Sequence, residues 1–252
     1  MPSQRLFKGA YIILMVLDYI WFKTIRESGG GTYMGTVVRL EHYTKNFKKV
    51  TVLDDINLTL ESGKVIGLKG KNGSGKTMLM RAIAGLIRVD GIVDINGKIM
   101  GKDMMFPDSI GILIENPAFI NNYTGFENLK TLASIRERID DERIRETLSE
   151  VGLEPYDKRT FRKYSLGMKQ RLGIAAAIME NPDIIILDEP INALDDSGTE
   201  QVSKLLMKHK ERGALIIIAC HDAEELDYLS DDIIEIAEGR IKNNKADKGG
   251  IN

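Results

Sequence analysis

Gly70-Lys71-Asn72-Gly73-Ser74-Gly75-Lys76-Thr77 is the stretch that decides how this chain is read. Its spacing, four variable residues between Gly70 and Gly75-Lys76-Thr77, is that of a phosphate-binding loop. Residues 64–69 (KVIGLK) read as a short buried strand before it, and residues 78–86 as a helix after it. Strand, glycine turn and helix aim backbone N–H groups at one point, where a triphosphate sits on the positive end of the helix. The glycines let the backbone close around phosphate without a Cβ clash. Lys76 is placed to pair with the β- and γ-phosphates, and Thr77 to offer its hydroxyl to Mg²⁺. Asn72, Gly73, Ser74, Gly75, Lys76, Thr77 and Met78 are the expected nucleotide contacts, with a triphosphate and Mg²⁺ as the bound species.

Downstream, residues 184–190 (IIILDEP) form an apolar strand that ends in two adjacent carboxylates. In an open parallel sheet, ligands bind at that carboxyl edge. Neighbouring strand side chains point opposite ways, so the two acids need not share a role. Asp188 is placed to hold Mg²⁺, and Glu189 to orient or deprotonate the attacking water. Residues 214–220 make a second continuous apolar run, as in a strand buried on both faces. A helix over 197–212 between the two runs indicates a βαβ crossover and an α/β fold. His221 follows the second run, on the side where phosphates are expected. Ser165 precedes Gly167 at the start of an alanine-rich helix over 167–179, where a serine caps the helix and the helix start makes an anion site.

The rest of the chain is regular. Residues 36–43 and 50–60 read as strands. The second alternates Val52, Asp54, Ile56, Leu58 and Leu60 against Leu53, Asp55, Asn57 and Thr59, as a half-covered antiparallel strand does. Residues 91–95 and 110–114 are further strands, and 126–138 and 141–151 are charged amphipathic helices. With 43% apolar residues in 252, the chain has ample core. A net charge of −2 offers no basic field, so no nucleic-acid partner is expected. Cys220 is the only cysteine, which rules out an intrachain disulfide and a thiolate metal cluster, and its place at the end of an apolar run suits a packed residue.

Residues 1–33 differ and read as an N-terminal extension. Residues 10–22 are apolar but broken by Asp18 and flanked by Arg5, Lys8, Lys23 and Arg26, short of the roughly 20 residues that span a bilayer. Gly29-Gly30-Gly31 lies ahead of Met34, and consecutive glycine codons can spell a purine-rich ribosome-binding sequence. A translated leader before a start at Met34 is the favoured reading; a helix lying on or crossing a membrane stays open. Residues 243–252 read as a polar tail.

Taken in order, these motifs resemble the ATP-binding subunit of ABC transporters over about residues 34–242. Residues 70–77 match the Walker A loop, 184–189 Walker B, 164–170 (YSLGMKQ) the signature loop, 191–195 the D-loop, and His221 the switch histidine. The resemblance implies a P-loop NTPase (RecA-like) core, an antiparallel β subdomain, and an inserted α-helical subdomain over about 115–179. It implies that Phe47 stacks on adenine. It also implies a head-to-tail dimer, homomeric in the simplest case, with each ATP between one copy's loop and the other's Ser165 and Gly167. Asp195 would couple the two sites, and His221 would hold the γ-phosphate beside Glu189. Partner permease subunits would fix the cassette to the cytoplasmic face of the membrane. Glu115 stands where the family has a glutamine, and so becomes a candidate Mg²⁺ ligand and catalytic-site residue. IENPAF with this glutamate, followed by YSLGMKQRLGIA, is similar to lantibiotic-immunity and bacitracin-resistance exporters, which implies export of an antimicrobial peptide. Residues 115–129, with Pro117, Phe119 and Phe126, would help receive a permease helix. A soluble ATP-driven clamp on nucleic acid or ribosomes is the rival reading; the charge balance and the single cassette oppose it.

Overall fold

The computed structural model describes residues 35–48, 50–87 and 90–244; the readings of residues 1–33 and of 245–252 lie outside them. Strands β1 (Val37–Phe47), β2 (Val50–Glu61), β4 (Asp90–Ile95) and β5 (Lys98–Ile99) form an antiparallel sheet in the order β2-β1-β4-β5. Strands β3 (Lys64–Lys69), β6 (Ile110–Leu113), β7 (Ile184–Asp188), β8 (Leu215–Ala219), β9 (Asp232–Ala237) and β10 (Arg240–Asn244) form the second sheet, in the order β10-β9-β3-β8-β7-β6. Its neighbours run parallel except for the antiparallel β9–β10 pair. Helices α1 (Lys76–Ile83), α2 (Gly125–Ala133), α3 (Asp141–Glu150), α4 (Leu166–Ile178), α5 (Asp196–Glu211) and α6 (Ala223–Leu229) complete the described elements, with a single 3₁₀ turn at Phe161–Lys163.

The apolar runs are buried on both faces of the parallel sheet, as such strands require. Ile185, Leu187, Ile216 and Ile218 pack with α4 and α5 on one side. Ile184, Ile186, Leu215 and Ile217 pack with α1 and the antiparallel sheet on the other. Each side therefore has its own core, and the sheet between them is held flat against both. The β7–α5–β8 crossover is present, with Ile186 level with Ile217. Because β3, β8, β7 and β6 are consecutive neighbours and parallel, their carboxyl ends open onto one edge.

The structure departs from the sequence reading at several points. The alternation of β2 changes phase: Leu53, expected on the outer face, is fully buried along with Ile56, Leu58 and Leu60. A bulge is the cause. The register slips between Tyr43 and Lys45, His42 and Asp55 both take positive φ (47° and 50°), and His42 Nδ1 lies 2.8 Å from Asp55 Oδ1. The helix expected to reach residue 138 stops at Ala133. Arg136 and Arg138 instead donate to the Asp108 carbonyl at 3.0 and 3.2 Å, and Glu137 turns the chain with φ 52°. The last strand runs to Asn244, so Asn243 and Asn244 belong to β10 and not to the tail.

Candidate nucleotide-binding site

The loop after β3 folds as its glycines dictate. Gly73 and Gly75 have φ of 79° and 114°, where a side chain is strained. At Gly75 a Cβ would also meet the Val52 carbonyl of β2 at 3.0 Å. The tip of the antiparallel sheet thus lies against the loop. Phe47, across the β1–β2 turn from Val52, is half exposed there, with Lys45 Nζ 5.1 Å from its ring centroid. Asn72 and Gly73 face solvent, while Ser74 is buried and its Oγ has no partner. Lys76 is also buried, and its Nζ donates to the Gly70 carbonyl at 2.6 Å. A buried orphan hydroxyl and an ammonium that bonds only carbonyls of its own loop suit a phosphate seat. Helix α1 begins at Lys76, two residues earlier than expected, so Lys76 and Thr77 lie in its first turn. Met78 follows, half buried, with its sulfur 4.0 Å from Arg81 Nη1.

Beside the loop, Thr77 Oγ1 donates to Asp188 Oδ2 at 2.8 Å, which joins α1 to the end of β7. Burial raises the Asp188 carboxyl above its ordinary range, against the pull of the Thr77 hydroxyl and the Lys76 ammonium. Glu189 turns with φ 53°, fixed by its N–H to the Ala219 carbonyl of β8 at 2.8 Å. Its carboxylate accepts from the His221 backbone N–H at 3.1 Å and lies 3.3 Å from His221 Nε2. Burial also raises Glu189, the direction that suits a base working near neutrality. Cys220 is buried between them, and desolvation pushes its thiol up to about 12, so it packs and does not react.

Thr77 and Asp188 fit a hard divalent cation: a hydroxyl and a half-buried carboxylate stand side by side and offer oxygen donors. Among the described residues no group of three or more His, Cys, Asp and Glu could hold a metal. Glu115 is not joined to that pair. It follows β6 with φ 62° and binds Arg81 Nη2 at 2.6 Å, although its charge still acts on Asp188.

The other candidate residues lie on an open surface. Ser165 caps α4, accepting from the Met168 N–H at 3.2 Å, and Ser165 and Leu166 are exposed. Gly167 is needed for close packing, since a Cβ there would meet the Ala193 carbonyl at 2.8 Å. Asp195 is exposed and caps α5 through the Gly198 N–H at 3.0 Å. Phe119 packs edge-on against Phe161 with centroids 5.2 Å apart, Pro117 lies beside Gly173, and Arg145 stacks on Phe126 at 4.2 Å. Much of their surface is therefore used within the chain. Pro117 and Phe119, but not Phe126, line a cavity of about 300 Å³ between β6 and the helices.

Three residues that the sequence did not single out join these parts. Gln170 Nε2 donates to the Glu189 and Pro190 carbonyls at 2.7 and 3.2 Å, tying α4 to the end of β7. Arg171 bonds the Val151 carbonyl and Gln201 Oε1, both at 2.7 Å, and lies 3.6 Å from Asp195. Arg81 is the third. A polar residue inside a helical pattern reads as solvated unless its distant partner is known, so no local signal marks these.

The ABC transporter family profile matches residues 53–192. The uncharacterized ABC transporter ATP-binding protein YybJ of Bacillus subtilis (strain 168) is 46% identical over 82% of this chain and 95% of its own length. The bacitracin transport ATP-binding protein BcrA of Enterococcus faecalis is 40% identical over 82% and 68%, respectively. The lantibiotic transport ATP-binding protein SrtF of Streptococcus pyogenes is 34% identical over 81% and 89%. Among solved structures, the dimeric post-hydrolysis state of the cassette MJ0796 with ADP and Pi superposes with a TM-score of 0.74, at 26% identity, over 82% of this chain and 97% of that one. Among the described residues no helix is long and apolar enough to cross a membrane. The chain thus belongs to the ABC transporter family, as an ATP-binding and ATP-hydrolysing cassette subunit with the P-loop NTPase fold.

Proposed function

We propose that this subunit powers export of an antimicrobial peptide, or its removal from the membrane, through a separate permease. The supporting observation is the shared edge of four parallel strands. There Thr77 meets Asp188 at 2.8 Å and Glu189 lies 3.3 Å from His221, while Ser165 and Leu166 stay open to solvent. Two identical copies close head to tail, and each loop faces the other's Ser165 and Gly167. The α4 start supplies N–H dipoles to the far end of the triphosphate. Phe47 stacks on the base, and residues 72–78 hold the phosphates. Thr77, Asp188 and Glu115 would hold Mg²⁺, which would supply charge neutralisation to the phosphates. Glu189 orients and deprotonates the attacking water, His221 holds Glu189 and the γ-phosphate, and Asp195 links one site to the other.

The subunit sits on the cytoplasmic face of the membrane, with the cavity beside β6 receiving the permease. The names of BcrA and SrtF support a peptide cargo. The test is to express the chain with its neighbouring permease genes in a sensitive host and measure growth against bacitracin and a lantibiotic. Tolerance to one of them that disappears with Lys76→Ala is expected. Unchanged sensitivity to both, with intact ATPase activity, contradicts the cargo.

A further inference from the structure

Thr77 and Arg81 are one turn apart on α1 and grip the ends of two neighbouring strands. Thr77 holds Asp188 at the end of β7, and Arg81 Nη2 holds Glu115 Oε1 at 2.6 Å, just past β6. The strands are in register there, Leu113 beside Leu187, which brings the two acids close enough for the Glu115 charge to act on Asp188. Glu115 keeps φ at 62°, a conformation that a glutamate holds only when its surroundings fix it. Arg81 and Glu115 both line the cavity beside β6.

We propose that Arg81 is a positioning residue that competes with the divalent cation for Glu115. This rests on the reading of Thr77, Asp188 and Glu115 as the cation's partners. Without nucleotide, the guanidinium holds the carboxylate beside the cavity, although its charge still reaches Asp188. When magnesium nucleotide fills the loop, Glu115 exchanges Arg81 for the cation. Arg81 and Glu115 are partly exposed, at 31% and 53% of the side chain, so water replaces the lost contact and the exchange is nearly balanced. The freed guanidinium then stands at the cavity rim. Nucleotide arrival would thereby change the charge presented to whatever occupies the cavity.

The test is Mn²⁺ affinity, read from the electron paramagnetic resonance of the free ion, with the full chain saturated by a nonhydrolysable ATP analogue. Arg81→Met, which removes the competitor, should tighten Mn²⁺ roughly two- to fivefold, the range for an exposed ion pair. Arg81→Lys should stay near the parent, and Glu115→Gln should weaken Mn²⁺. The double variant should match Glu115→Gln alone, because Arg81 acts only through Glu115. If Arg81→Met leaves Mn²⁺ unchanged or weakens it while Glu115→Gln still weakens it, the competition is wrong and the cation reading stands. If Glu115→Gln has no effect, Glu115 is no cation partner and both fall.

Discussion

The two ends of the candidate site are built in opposite ways. At the Walker edge, four charged groups already have partners within the chain: Lys76 on Gly70, Asp188 on Thr77, Glu189 beside His221, Arg81 on Glu115. At the signature end, Ser165 and Asp195 cap their own helices, Asp195 also lies 3.6 Å from Arg171, and Leu166 remains 66% exposed. One end is a half-buried cluster that conserves its charges until a ligand replaces the contacts. The other is an open surface where the N-terminus of α4 is capped by Ser165 and faces solvent. The difference supports the proposed reading in which a single copy holds two half-sites, one for gripping nucleotide and one for closing over a neighbour's.

Substitutions that strike one end and spare the other sharpen this contrast. Glu189→Gln should have the largest effect. Turnover should fall about 10²- to 10⁴-fold, the range for a lost general base, while nucleotide still binds. Steady-state phosphate release and scattering should show a slow, ATP-bound dimer; undiminished turnover would remove Glu189 from its role. Next, Lys76→Ala should weaken ATP binding by the monomer about 10- to 100-fold, as expected for a lost charge-assisted hydrogen bond. Ser165→Arg should leave monomer binding intact in calorimetry and block dimer formation. A Ser165 variant that loses monomer binding would erase the distinction between the ends. Phe47→Ala should weaken ATP about fivefold or more through lost stacking, with a smaller effect on nucleotides lacking an aromatic base.

The smallest effect concerns stability. Burial raises the folded Asp188 carboxyl, so folding favours its protonated form. Its contribution to stability is greatest below the ordinary aspartate range and declines as pH rises through the raised value. Asp188→Asn should therefore raise the melting temperature of nucleotide-free protein at neutral pH by about 2–4 °C, as for a gain of about 1 kcal/mol in a domain of this size. A lower melting temperature would show that the Thr77 contact outweighs the burial cost.

Much of this arrangement is legible in the sequence because it is local or strictly spaced. The glycine loop, the paired acids after an apolar strand and the histidine after the next are each written within a few residues. The continuous runs at 184–187 and 214–220 announce strands buried on both faces, and the two cores confirm that burial. What escapes is decided across the fold. Leu53 turns inward because a bulge at Asp55 is fixed by His42 from the facing strand, which no alternation pattern contains. Helix α2 ends early because two arginines find the Asp108 carbonyl, 28 and 30 residues away. Arg81 and Gln170 look like ordinary helical surface residues until the end of β6 or β7 is brought beside them.

The central claim is that each nucleotide needs Lys76 from one copy and Ser165 from the other. Mixing tests it most directly, in a Glu189→Gln background so that trapped nucleotide can be counted. Lys76→Ala and Ser165→Arg chains, each alone with ATP, should stay monomeric in scattering and trap nothing. Mixed together, they form one intact composite site per pair, and should yield dimers holding about one nucleotide. If mixing restores no dimer, or if either variant dimerises with ATP alone as well as its parent, the head-to-tail account is contradicted.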